Sequence, residues 1–199
     1  MRIGPAPHRP WNPVVRLSYR ESRRRTGTVL PSLRLYARLP SLLTAFGVMD
    51  TVLAGLRRDR RRLHALVGLR AAMLVDCPFC IDLQIWESRF TTLSAEEIGA
   101  VSQWRQRGSF GELESAGLAL AEQMTATPAD VDDETFRILR KHLTDTEILA
   151  LAAVVGWENF RARVAKALHC PPVHLAAAAT GGTGSAGGTD AARPAPTRS

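Results

Sequence analysis

The chain has 199 residues, 45% of them hydrophobic and 23% charged, with a net charge of +7; this is one ordinary domain able to bury a core unaided, and too apolar to be disordered. No apolar run approaches the roughly 20 residues that span a bilayer, and the start lacks the apolar middle of a secretory signal, so a cytoplasmic protein without a membrane partner is expected. Lys141 and Lys166 are the only lysines, and the arginine clusters Arg23, Arg24, Arg25 and Arg57, Arg58, Arg60, Arg61, Arg62 come without any nucleic-acid reader module; they read as solvated or interface faces, not as a nucleic-acid partner site.

Residues 1–13 are rich in proline and polar side chains and read as a flexible arm that could lie over a neighbouring subunit. A helical domain is expected over 14–175. Its first strong helices are Ser41 to Leu56 and Arg60 to Val75, joined by the arginine-rich patch, and a further helix starts at Pro78. Three hydroxyl and carboxylate pairs have capping-box spacing: Ser94 with Glu97, Ser109 with Glu112, and Thr144 with Glu147. Helical periodicity puts Leu113, Ala116, Leu120, Ala121 and Met124 on one face, Phe136, Leu139 and Leu143 on another, and Ile148, Leu151, Ala152 and Val155 on a third. No segment reads as a strand, so the fold class is all-α, a bundle of about seven or eight helices with antiparallel neighbours. Residues 176–199 read as a disordered tail of small residues, proline and threonine.

The three cysteines, Cys77, Cys80 and Cys170, are too few for a secreted disulfide framework and point to redox or metal chemistry in a reducing compartment. Pro78 favours the first helical position, which places Cys77 near the N-cap and Cys80 in the first turn. Free amides and the positive end of the helix dipole stabilise a thiolate there, and Cys80 is expected to gain from that field, with Asp76 and Asp82 opposing it. One sulfur can then attack a peroxide and the other resolve the sulfenic acid to a disulfide. Two alternatives remain at this point: two small residues that simply pack, or half of a zinc site completed by Cys170 and His174. Cys170 itself reads as a packed thiol.

The segment Cys77-Pro78-Phe79-Cys80-Ile81-Asp82 is preceded by Leu66-Val67-Gly68-Leu69-Arg70-Ala71-Ala72 and followed by Leu93-Ser94-Ala95-Glu96-Glu97-Ile98, Ala119-Leu120-Ala121-Glu122 and Trp157-Glu158-Asn159-Phe160. In these landmarks the chain resembles the carboxymuconolactone decarboxylase family, in its alkylhydroperoxidase D-like branch with a Cys-x-x-Cys motif, over roughly residues 30–171. The resemblance implies an all-α fold, a homo-oligomer (trimer or hexamer), and reduction of a hydroperoxide substrate by the dithiol without cofactor or metal. It also implies Cys80 as the attacking thiol, Cys77 as the resolving thiol, and an external thiol or disulfide reductant.

The family's proton relay has a glutamate twelve residues before the first cysteine and a histidine four after the second; this chain has Ala65 and Gln84 there. Gln84 can donate a hydrogen bond to a thiolate, and Glu87 lies a further turn along the same face, where it could take a proton through water or pair with an arginine. His64 adjoins the vacant glutamate position but is rotated away from it, and Asp82 faces away from Cys80 towards a structural role. His142 and His169 read as surface or packing residues. The function expected is a thiol-dependent peroxidase; the alternatives are a redox-sensing or non-catalytic helical oligomer and a carboxymuconolactone decarboxylase-like enzyme.

Overall fold

The computed structural model describes residues 1–4, 6, 12–56 and 60–179. Among these, every regular element is helical: α1 (Pro13–Thr26), α2 (Pro31–Tyr36), α3 (Pro40–Leu56), α4 (Arg61–Val75), α5 (Pro78–Ser88), α6 (Ala95–Ala100), a 3-10 turn (Val101–Gln103), α7 (Trp104–Arg107), α8 (Glu112–Thr125), α9 (Asp133–His142), α10 (Asp145–Ala167) and α11 (Leu175–Ala179). The all-α expectation holds. No described helix is long and apolar enough to cross a membrane.

Two of the three anticipated capping boxes form, Ser94 with Glu97 and Thr144 with Glu147. The third does not. Gly111 is the N-cap of α8 and its amide donates to Glu114, while the Ser109 hydroxyl turns back to the Arg107 carbonyl. Two overlapping signals two residues apart competed here, and the later one defines the helix start.

Helix α4 runs through the centre and packs against α5, α8 and α10. Val67, Ala71, Leu120, Ala121, Leu151, Val154 and Val155 form a core buried to 0–1% exposure; burying each Val or Leu stabilises by about 1.5–3 kcal/mol against leaving it in water. Val154 takes the place expected for Ala152, which is only half-buried. The approach of α8 to α4 depends on Gly117, since a Cβ there would lie 2.8 Å from Leu63 Cδ1.

Several of the clustered arginines have partners within the fold. Arg62 holds Glu97 (2.5 Å) and Glu114 (2.6 Å), tying the start of α4 to α6 and α8, and Arg60 meets Glu147 at 2.9 Å. Arg57 and Arg58 lie outside the described residues. Arg23, Arg24 and Arg25 occupy the last turn of α1, where cations complement the helix dipole. His142 joins Lys141 on Glu112.

The described part of the arm lies on its own chain: Arg2 N donates to Leu168 O, Ala6 N to Arg34 O, and Arg38 Nε to Gly4 O. At the other end regular structure continues through Ala179, past the expected start of the tail; residues 180–199 lie outside the described ones.

Candidate active site

The turn between α4 and α5 sets the cysteines. Asp76 ends α4 in the left-handed conformation (φ 55), and the Cys77 amide closes back on Ala72 O at 3.2 Å, so the chain reverses within two residues. Pro78 then opens α5 with Cys77 as its N-cap. Its sulfur accepts from the Cys80 amide at 3.3 Å and lies 2.7 Å from Cys80 Sγ. Both cysteines are 1% exposed and neither is in a disulfide.

The helix field acts on a different sulfur from the one expected. Cys77 receives the amide, and the hydrogen bond from the Cys80 thiol, reinforced by backbone amides, lowers its pKa against the effect of burial. The Cys80 thiol is pushed far up by that shared hydrogen bond, then by burial and by the charge of Glu158. The two acidic neighbours expected to oppose the thiolate do not face it. Asp76 turns outward to Lys166 Nζ (2.9 Å). Asp82 accepts from the amides of Val173 (3.0 Å), Leu175 (3.2 Å) and Ala176 (2.9 Å). It thereby caps α11 and fixes a strap over the cysteine cluster.

The acidic group that does act on both sulfurs is Glu158 of α10, a residue of the Trp157-Glu158-Asn159-Phe160 landmark not singled out as a site residue. It is fully buried, at 0% exposure. Gln84 Nε2 donates to its Oε2 at 2.9 Å, and Arg161 Nη1 stands 3.8 Å from the same oxygen. Gly68 on α4 makes room for this arrangement, because a Cβ there would meet Gln84 Oε1 at 3.0 Å. Arg161 is also 3.7 Å from Asp50, which accepts from Trp157 Nε1 at 2.8 Å. Burial works against the Arg161 charge, but Glu158, Asp50, Glu87 and Cys80 outweigh it and raise its pKa. A sequence signal for Glu158 existed: it continues the buried stripe Leu151, Val154, Val155, Ala162, Ala165, where a carboxylate is out of place.

A cavity of about 710 Å³ opens beside α5, lined by residues of α1, α2, α3, α4, α5 and α10, among them Tyr36, Phe46, Trp86, Glu87, Phe90 and Arg161. Gln84, and Ala65 at the vacant relay position, also line it. Phe79, Leu83 and Gln84 bring the cysteine end of α5 to the cavity wall, while the two sulfurs stay buried behind it. Cys170 belongs to the same buried cluster, its thiol pushed up to about 12 by burial and by Cys77. Among the described residues no group of three or more His, Cys, Asp or Glu side chains could hold a metal ion, which leaves Cys170 and His174 outside any zinc site with the pair. His64 is buried on α4 but does not line the cavity, and His169 takes the left-handed turn that leads into the strap.

No protein-family model matches the chain. The uncharacterized protein YnjA of Escherichia coli K12 is 31% identical over 153 residues, 75% of this chain and 82% of YnjA. ATU0492 of Agrobacterium tumefaciens, a protein of unknown function described as a candidate antioxidant defence protein AhpD, superposes with a TM-score of 0.63 and 27% identity over 69% of this chain and 94% of its own. The chain belongs to the carboxymuconolactone decarboxylase-fold family, in its AhpD-like branch. Within this fold, the debrominase Bmp8 superposes with a TM-score of 0.75 and 19% identity over 87% of this chain and 94% of its own. AhpD-like architecture therefore serves more than one activity, and the chemistry of the present chain has to be argued from its own site.

Proposed function

We propose that the chain is a thiol-dependent peroxidase reducing hydroperoxides through Cys80 and Cys77. The observation that carries this reading is the 2.7 Å separation of the two sulfurs at the start of α5, beside a cavity large enough for an organic hydroperoxide. The Cys80 thiolate attacks the peroxide oxygen, the O–O bond breaks, and the alcohol leaves after taking a proton. Cys80, oxidised to the sulfenic acid, is then attacked by the Cys77 thiolate, forming the S–S bond and releasing water. An amide-capped, lowered-pKa Cys77 suits the resolving step, which also needs a thiolate. An external thiol or dithiol supplies the two electrons that restore the pair, in keeping with a reducing cytoplasm.

The reading includes a homo-oligomer. Its support is an apolar face on α1 and α3 where Val14, Val48 and Val52, 37%, 59% and 51% exposed, line one shallow groove; light scattering coupled to size exclusion reads the stoichiometry. The redox-sensing oligomer stays in view because Ala65 and Gln84 occupy the relay positions.

The deciding experiment is the accurate mass of reduced protein before and after a small excess of cumene hydroperoxide, with peptide mapping, followed by turnover with dithiothreitol. Loss of two hydrogens mapped to Cys77 and Cys80, and sustained turnover abolished by Cys80→Ser, is the expected result. A pair that stays reduced overturns the reading; a pair that oxidises once without turnover replaces it with the sensor.

A further inference from the structure

We propose that Glu158 is the proton acceptor for Cys80, supplying from α10 the base that neither Ala65 on α4 nor Gln84 on α5 can provide. The inference rests on the peroxidase reading and goes beyond it in assigning the proton.

A carboxylate at 0% exposure inside an otherwise apolar helix stripe is expensive to bury, and replacing such a group with a well-packed apolar side chain is often neutral or stabilising. Its surroundings place it with some care: Gln84 donates to it at 2.9 Å, Gly68 leaves the space that Gln84 needs, and Arg161 stands at 3.8 Å. Gln84 lies one turn beyond Cys80 on α5, so the amide that grips Glu158 comes from the face of the helix that carries the sulfur. Glu158 disfavours a thiolate on both cysteines, so its effect as a fixed charge is opposed to the chemistry. A proton acceptor resolves that opposition.

Releasing the Cys80 proton to solvent would add a second negative charge to a buried site that already holds Glu158. Passing it to Glu158 through one bridging water moves the negative charge from carboxylate to sulfur and leaves the total unchanged, avoiding further desolvation. The step balances: the Cys80 S–H bond breaks and the carboxylate takes the proton. The thiolate attacks the peroxide, the O–O bond breaks, and Glu158 returns the proton to the departing alkoxide. Cys80 loses two electrons and the peroxide gains them. The other titratable and charged groups facing the site are Cys77 and Glu87 on α5, Tyr36 on α2, Asp50 on α3, Arg161 on α10 itself, and Cys170 in the same buried cluster. Tyr36 is held neutral by burial, and Arg161 is held charged.

The test uses the full chain carrying Glu158→Gln, which keeps the shape, and Glu158→Asp, which keeps the acid. The rate of Cys80 oxidation by cumene hydroperoxide and of Cys80 alkylation by iodoacetamide is followed against pH, with thiolate read by ultraviolet absorbance. At neutral pH the Gln variant should slow both reactions by about 100-fold, the lower end of what a positioned base contributes. The Asp variant should recover part of the rate. Gln-variant rates at or above wild type, or an Asp variant no faster than Gln, overturn the assignment. Alkylation that slows in Glu158→Gln while wild-type protein ignores peroxide would retain the base and discard the peroxidase reading.

Discussion

Two buried carboxylates flank the cysteine helix, and they are held in opposite ways. Asp82, on the strap side, accepts three backbone amides between 2.9 and 3.2 Å. Glu158, behind the cavity-lining Gln84 and Arg161, is gripped by the Gln84 amide at 2.9 Å and the Arg161 guanidinium at 3.8 Å. Amides of a fixed backbone hold a carboxylate in one place and one orientation, so the Asp82 arrangement suits a group that holds structure. Side-chain partners around Glu158 can reorient, which suits an acid that changes state. The same element therefore carries a structural carboxylate contact on one face and a chemical one on the other.

The largest effect that sharpens this contrast is expected from Asp82→Ala. It leaves the amides of Val173, Leu175 and Ala176 without their acceptor and frees the strap that contributes Cys170, Val173 and Leu175 to the cysteine cluster. Hydrogen bonds to a charged group contribute about 1.5–3 kcal/mol each, but a strap can detach and rehydrate its amides, so the net loss expected is about 2–4 kcal/mol. Urea unfolding at one protein concentration measures it, and amide hydrogen exchange should rise first at residues 173–176. Wild-type stability with an unprotected strap would mean that Asp82 holds only the strap and not the fold.

Gly68→Ala probes the cavity side with a smaller change. Helix propensity alone favours alanine by about 1 kcal/mol, yet the new methyl would stand 3.0 Å from Gln84 Oε1 and 3.3 Å from Gln84 Cδ. The Gln84 amide must then shift by a few tenths of an ångström, loosening its bond to Glu158. Stability should change by less than about 1 kcal/mol in either direction while Cys80 alkylation slows by about threefold to tenfold. A variant that is more stable and equally reactive would show that the Gln84 to Glu158 geometry is not critical.

The bundle was legible in the sequence because periodicity and proline or hydroxyl starts mark long helices, and α3, α4, α9 and α10 fall where those signals put them. The location of the dithiol was legible for the same reason: Pro78 fixes Cys77 as the cap. Which sulfur the amide would meet was not, since that depends on the rotamer of a capping side chain and on the reversal at Asp76. Glu158 was present as a landmark and missed as a site residue because Gln84 and Glu158 are 74 positions apart, and only the packing of α10 on α5 brings them together. A search confined to the neighbourhood of the cysteines found Glu87 and Asp82, of which the first lines the cavity and the second holds the strap.

The smallest expected effect is a control lying away from both carboxylates. The Arg62 guanidinium holds the Glu97 carboxyl down to about 2, assisted by the Ser94 amide. A carboxyl depressed in the folded state contributes stability that is fully present above its unfolded value, near the ordinary 4.5, and is lost as pH falls through about 2. Both partners are partly exposed, at 29% and 24%, so solvent screening keeps the contribution to about 0.5–1 kcal/mol. Arg62→Ala should remove that amount at pH 6, together with a smaller part from Glu114, and should flatten the pH dependence of stability between about 4.5 and 2. Cys80 alkylation at neutral pH should stay within about twofold of wild type, because Arg62 joins α4 to α6 and α8 and has no contact with Gln84 or Glu158 among its recorded partners. A large loss of thiol reactivity in Arg62→Ala would mean that the position of α4 itself governs the pair, and the contrast between the two carboxylates would then reduce to a difference in how each one follows α4.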